Sequence, residues 1–122
     1  MILADTSIWI DHFRSENKEM RRLLQQGQIV IHPFIVAELA LGFLRARSQT
    51  LALLDRLPQL RVAQLPEVRV TIEVRRLYGL GIGLTDVHLI ASVLLNPRVR
   101  LWTRDKPLRK VADRLGIHEE LG

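Results

Sequence analysis

The sequence predicts an α/β fold in which a parallel sheet of about four to five strands carries helices on both faces. Three observations lead there. Short apolar runs, Ile2-Leu3-Ala4, Gln28 to Ile31, Leu60 to Ala63 and Val99 to Thr103, are too brief for helices and read as strands. Segments of helical periodicity separate them, and strand-helix alternation favours parallel pairing with right-handed crossovers. The chain has 122 residues, 48% hydrophobic and 25% charged, which suits one globular domain over 1–122 with a single core.

The elements follow in order. Asp5-Thr6-Ser7 is a helix-start signal after the first strand, and Ile8, Trp9 and Phe13 recur at helical spacing. A polar helix over Asn17 to Gln26 closes at Gly27. The second strand stops at His32-Pro33, because proline lacks the donor a ladder needs. From Phe34 to Leu44 the set Ile35, Val36, Leu39, Ala40, Phe43 and Leu44 makes a core-facing stripe, with Glu38 one position off it. Ser48 is expected to cap a helix to about Leu57, and Pro66 to open one reaching Tyr78. Thr85 reads as the cap of a segment, Val87 to Leu95, that is apolar nearly all round and so belongs in the centre. Pro107 opens the last helix, Gly116 closes it, and a short strand near Ile117 to Glu119 completes the row. Trp9, Phe13, Phe34, Phe43 and Trp102 are expected in the core.

Composition excludes several classes of function. Without cysteine there is no disulfide, thiolate metal site or cysteine nucleophile. No apolar run approaches the roughly 20 residues of a membrane span, and Asp5 arrives too early for a signal-peptide apolar region, so a soluble, cytoplasmic protein is expected. His12, His32, His88 and His118 lack zinc-ligand spacing. Gly79-Leu80-Gly81-Ile82-Gly83 matches no phosphate-cradling motif and reads as a turn. The net charge is +5, and 15 of the 18 basic residues are arginine, whose planar fork suits phosphate.

Ligands of parallel sheets bind beyond the carboxyl ends of the strands. Asp5 and Asp105 follow strands there, while Glu38 and Asp86 interrupt unusually apolar helices. Any one acid could answer a helix dipole, but four in apolar surroundings point to convergence on a divalent cation, and an all-oxygen set suits Mg²⁺ or Mn²⁺.

Four segments carry a family resemblance: Ile2-Leu3-Ala4-Asp5-Thr6-Ser7-Ile8-Trp9-Ile10, Val36-Ala37-Glu38-Leu39, Gly83-Leu84-Thr85-Asp86-Val87-His88-Leu89-Ile90-Ala91 and Leu101-Trp102-Thr103-Arg104-Asp105. Their order and spacing resemble the PIN-domain ribonucleases, and within them the VapC-type toxins of toxin–antitoxin pairs. The resemblance implies a three-layer PIN-like fold and endonucleolytic cleavage of RNA by metal-activated water. Asp5, Glu38, Asp86 and Asp105 would be the acidic set, with Asp5, Asp86 and Asp105 as metal ligands and Thr6, Ser7 and Thr103 supporting them. It also implies Mg²⁺, with Mn²⁺ as the substitute, a homodimer and an inhibitory VapB-type antitoxin. Beside Asp105, Arg104 is the expected contact to an RNA phosphate. His32 stands where hydroxyl residues are usual in relatives, and Leu108 where an aromatic often follows the last acid. Two alternatives are a catalytically silent RNA-binding module, which would be expected to lack acids, and a phosphoacceptor centred on Asp5, which would want a second acid where Thr6 stands.

Overall fold

A computed structural model describes residues 1–121. In chain order the elements are β1 (Ile2–Ala4), α1 (Thr6–Arg14), α2 (Lys18–Gln25), β2 (Ile29–Val30), α3 (Pro33–Leu41), α4 (Arg47–Arg56), α5 (Leu65–Arg75), α6 (Leu84–Leu94), β3 (Arg100–Trp102) and α7 (Lys106–Arg114). The sheet runs β2-β1-β3 and is parallel throughout, with Leu3 opposite both Val30 and Leu101. Successive strand residues point to opposite faces, yet Ile2, Leu3 and Ala4 are all buried. Both faces of β1 are therefore covered, which is the environment that apolar, non-alternating strands require.

The sheet has three strands where four to five were expected, and the missing ones survive as single bridges, Ile31 to Gln59 and Leu101 to His118. Extended by these bridges, the row keeps its order with one residue's worth of pairing at each edge. On the β2 side, Pro33 starts α3 almost at once after Ile31, so little extended chain remains to pair.

Helix ends depart from the sequence reading where backbone geometry decides. The α3 helix stops at Leu41 instead of Leu44, which leaves Phe43 in solvent. Phe13 is also exposed, at the edge of the core with its ring 5.7 Å from that of Trp9, whereas Trp9 and Trp102 are buried as expected. Ser48 lies inside α4, whose cap position is Ala46 in the left-handed region with φ 46°. The α5 helix ends at Arg75 because Arg76 turns left-handed, φ 56°, and Arg114 of α7 donates to the freed carbonyls of Arg75 and Arg76 at 2.6 and 3.3 Å.

Thr85 is likewise inside α6, not at its cap. The cap position is Gly83, whose N–H donates to Asp86 Oδ2 at 3.2 Å, so the third helical residue closes the turn in place of a threonine hydroxyl. From Val87 to Val93 every residue of α6 is buried, in agreement with its uniformly apolar sequence. Two polar residues interrupt that run, His88 and Ser92, and the Ser92 hydroxyl donates to the Arg61 carbonyl at 2.7 Å. Among the described residues no helix is long and apolar enough to cross a membrane.

Candidate active site

All four predicted acids lie where the fold turns from strand to helix or on the helices beside those turns. Asp5 directly follows β1, and its N–H donates to the Trp102 carbonyl at 3.0 Å, prolonging the β1 and β3 pairing at the carboxyl end of the sheet. Its carboxylate caps α1: Oδ1 accepts from the Ile8 N–H at 3.2 Å and from the Ser7 hydroxyl at 2.5 Å. Oδ2 accepts from the buried Thr103 hydroxyl, and Thr103 Oγ1 in turn accepts from the Asp105 N–H at 3.0 Å. One threonine thus joins the acid after β1 to the acid after β3. Asp105 also caps a helix, Oδ2 accepting from the Leu108 N–H at 3.0 Å. Glu38, on α3, is held by the Thr6 hydroxyl, which donates to Oε1 at 2.7 Å.

The bland role of an acid near a helix start is therefore real for Asp5, Asp86 and Asp105. It does not account for their electrostatics. Burial raises the Asp86 carboxyl above its ordinary range, the Gly83 N–H opposes that, and the charges of Asp105, Asp5 and Glu38 each raise it further. Asp5 is also raised, first by burial and lastly by the charge of Asp105, against hydrogen bonds from Ser7, Thr103 and Ile8. Four acids far apart in sequence share one field. Capping needs a single carboxylate per helix; burial and the neighbouring charges together hold Asp5 and Asp86 above their ordinary range, a cost that a divalent cation would relieve.

Among the described residues no three acids or histidines are gathered into a finished cation cage. The acids share a field but do not form a coordination sphere. The donor set still fits a hard divalent ion, since every side chain offered is a carboxylate and each accepts at least one hydrogen bond that orients it. Asp5, Asp86 and Asp105 would hold such an ion, with Glu38 beside them.

Two neighbours named from the sequence make contacts that the sequence reading did not indicate. Arg104, expected at an RNA phosphate, donates from Nη1 to Asp11 Oδ2 at 2.6 Å, an ion pair 93 residues apart in the chain that no local pattern signals. His32 is wholly buried and caps α3, its Nδ1 accepting from the Phe34 N–H at 3.0 Å. The His32-Pro33 pair carried that signal, because proline favours the first helical position. Its ring lies 6.5 Å from that of His88, and Phe34 is 4.4 Å from His88. Burial, with a smaller contribution from His88, lowers the pKa of His32 to about 4.

A family profile described as PIN domain matches residues 2–114. The chain belongs to the PIN-domain family. It is similar to the proteins named Ribonuclease VapC32 from Mycobacterium tuberculosis, strains CDC 1551 / Oshkosh and ATCC 25618 / H37Rv. Each is 41% identical over 117 residues, which cover 96% of this chain and 94% of the relative. In this PIN domain all four acids that carried the resemblance are present, and the relatives match the chain almost end to end.

Proposed function

We propose that this PIN-domain chain is a divalent-cation-dependent endoribonuclease acting as a VapC-type toxin. The observation that carries the proposal is the gathering of four acids from distant parts of the chain, with Thr103 joining Asp5 to Asp105, Thr6 holding Glu38, and the charges of Asp105, Asp5 and Glu38 adding to burial in raising Asp86. Sharing family and nearly full length with proteins named as ribonucleases supports the same chemistry and substrate. Mg²⁺, with Mn²⁺ as a substitute, matches the all-carboxylate set, and when bound it would lower the pKa of a water and neutralise charge developing on phosphate. The protein's own part is orientation. Ser7 and Thr103 fix the two oxygens of Asp5, Thr6 fixes Glu38, and the Gly83 and Leu108 amides fix Asp86 and Asp105. A phosphoacceptor role is disfavoured, because both oxygens of Asp5 already accept hydroxyl hydrogen bonds within a buried site.

The same reading includes an antitoxin of VapB type. A cation from that partner would neutralise Asp5, Glu38, Asp86 and Asp105 in place of metal, so inhibitor and Mg²⁺ compete. It also includes a homodimer, for which α5 offers the surface. Pro66, Val70 and Val74 recur every fourth residue on that helix, with Val70 and Val74 61% and 71% exposed. Arg69 and Glu73 flank the stripe and line the same shallow groove. An antiparallel second copy would set Arg69 of one chain against Glu73 of the other.

Incubating the purified protein with end-labelled cellular RNA and Mg²⁺, then mapping cut ends by sequencing, tests the proposal. Discrete internal cuts that vanish in Asp86→Asn are expected. Intact RNA, or cuts of equal yield from that variant, would refute it.

A further inference from the structure

Beside Glu38 a groove of about 500 Å³ runs between α1 and the segment that follows α3. Its walls include Phe13, Arg14, Glu38, Leu39, Phe43 and Arg45. Phe43 is 99% exposed, an apolar ring presented wholly to water on the short stretch between Gly42 and Ala46. Phe13 faces the same space half-covered. Among the described residues, neither Arg14 nor Arg45 makes a side-chain hydrogen bond or ion pair. Their neighbours are committed: Arg47 donates to the carbonyls of Ala40 and Gly42, and Arg104 is paired with Asp11.

We infer that this groove receives an unpaired nucleotide of the RNA, its base stacked on Phe43 and the adjoining phosphates held by Arg14 and Arg45. The inference rests on the nuclease reading and names the form of its substrate. Exposed aromatic faces beside uncommitted guanidinium groups are what single-strand recognition requires, because every base offers a π-face and every linkage a charge. A duplex keeps its base faces stacked inside and would leave Phe43 without a partner. An apolar protein helix would cover Phe13 and Phe43 but would answer the two arginines at the rim only if it also carried acids, whereas every RNA linkage brings that charge. Glu38 lies on the groove wall and shares the field of Asp86, so a strand seated here delivers its backbone to the acids.

Binding is measured by fluorescence anisotropy on the cleavage-silent Asp86→Asn protein with three probes: a labelled 12-nucleotide single-stranded RNA, a strand of equal length with abasic riboses, and a duplex. The base-bearing strand binds best. Phe43→Ala weakens it about ten-fold and leaves the abasic strand unchanged, since one base–aromatic stack is worth roughly 1–3 kcal/mol. Phe43→Trp keeps the affinity, and its emission is quenched by the base-bearing strand alone. Arg14→Ala with Arg45→Ala weakens both single strands alike and flattens their salt dependence. If Phe43→Ala binds every probe as before, or weakens the abasic strand and the base-bearing strand alike, the groove is not a base site. Cleavage by the otherwise unaltered protein separates the failures. Absence of cutting refutes the nuclease reading; cutting with a KM indifferent to Phe43 refutes only the base site.

Discussion

At Asp86 the proposed cation site sets stability against function. A carboxyl whose folded pKa is raised above its unfolded value of about 3.8 contributes stability below that value and loses it as pH rises through the folded pKa. At neutral pH the metal-free protein therefore carries the cost of burying a charged Asp86, increased by repulsion from Asp105, Asp5 and Glu38, and Asp86→Asn relieves it, while asparagine can still accept from the Gly83 N–H. Scanning calorimetry in chelator should show a higher Tm for the variant than for the unaltered protein. Added Mg²⁺ should raise the Tm of the latter by mass action and scarcely move the variant. His32 has the opposite sign. Its base is depressed to about 4 in the fold, so it supports folding above its unfolded value near 6.5 and withdraws that support as pH falls towards 4. The protonated ring would also turn a donor towards the Phe34 N–H that it now accepts from. His32→Asn retains a cap acceptor, and the stability difference between the two proteins should shrink or reverse between pH 6.5 and 4 in denaturant titrations. The positions of the acids were legible in the sequence because Asp5 and Asp105 follow strands and Glu38 and Asp86 interrupt apolar helices. The imidazole cap needed only the rule that proline follows a cap. Arg104's pairing was hidden because its partner is remote in the chain.

At the scale of elements, the turn from β3 into α7 does the positioning. Thr103 donates to Asp5 and accepts from the Asp105 N–H, so its hydroxyl sets the ends of two parallel strands relative to each other. Thr103→Val keeps the shape, leaves the Asp105 N–H without that acceptor, and should cost about 1–3 kcal/mol in stability. Cleavage should fall through kcat more than through KM; an unchanged kcat would make Thr103 purely structural. Among the helices, α6 was predicted as central from its sequence, and burial from Val87 to Val93 agrees. Truncating its fully buried Ile90 to alanine should cost about 2–5 kcal/mol in urea unfolding. The ends of elements were less legible. Ala46 and Arg76 enter the left-handed region without being glycine, and such turns are imposed by packing, here by Arg114 reaching the end of α5. The outer strands shrank to single bridges for a related reason. Apolar composition marked the segments, whereas the length of each ladder depends on how soon the neighbouring helix begins.

For the whole molecule, an excess of five positive charges and an apolar face on α5 suit a protein that meets a polyanion on one surface and its own copy on another. Val70→Glu places a charge in the stripe and should yield monomers in sedimentation velocity without disturbing the acid set; a dimer that persists would put the interface elsewhere. The central claim is that Asp5, Glu38, Asp86 and Asp105 act as one cation-holding centre for RNA cleavage. Calorimetric titration of the chelator-treated protein with Mn²⁺, run beside RNA cleavage for the unaltered chain, Asp86→Asn and Asp105→Asn, tests it most directly. Cation affinity and cleavage should fall together in both variants. Full cleavage by a variant that no longer binds the cation, or cleavage that persists in chelator, would contradict it.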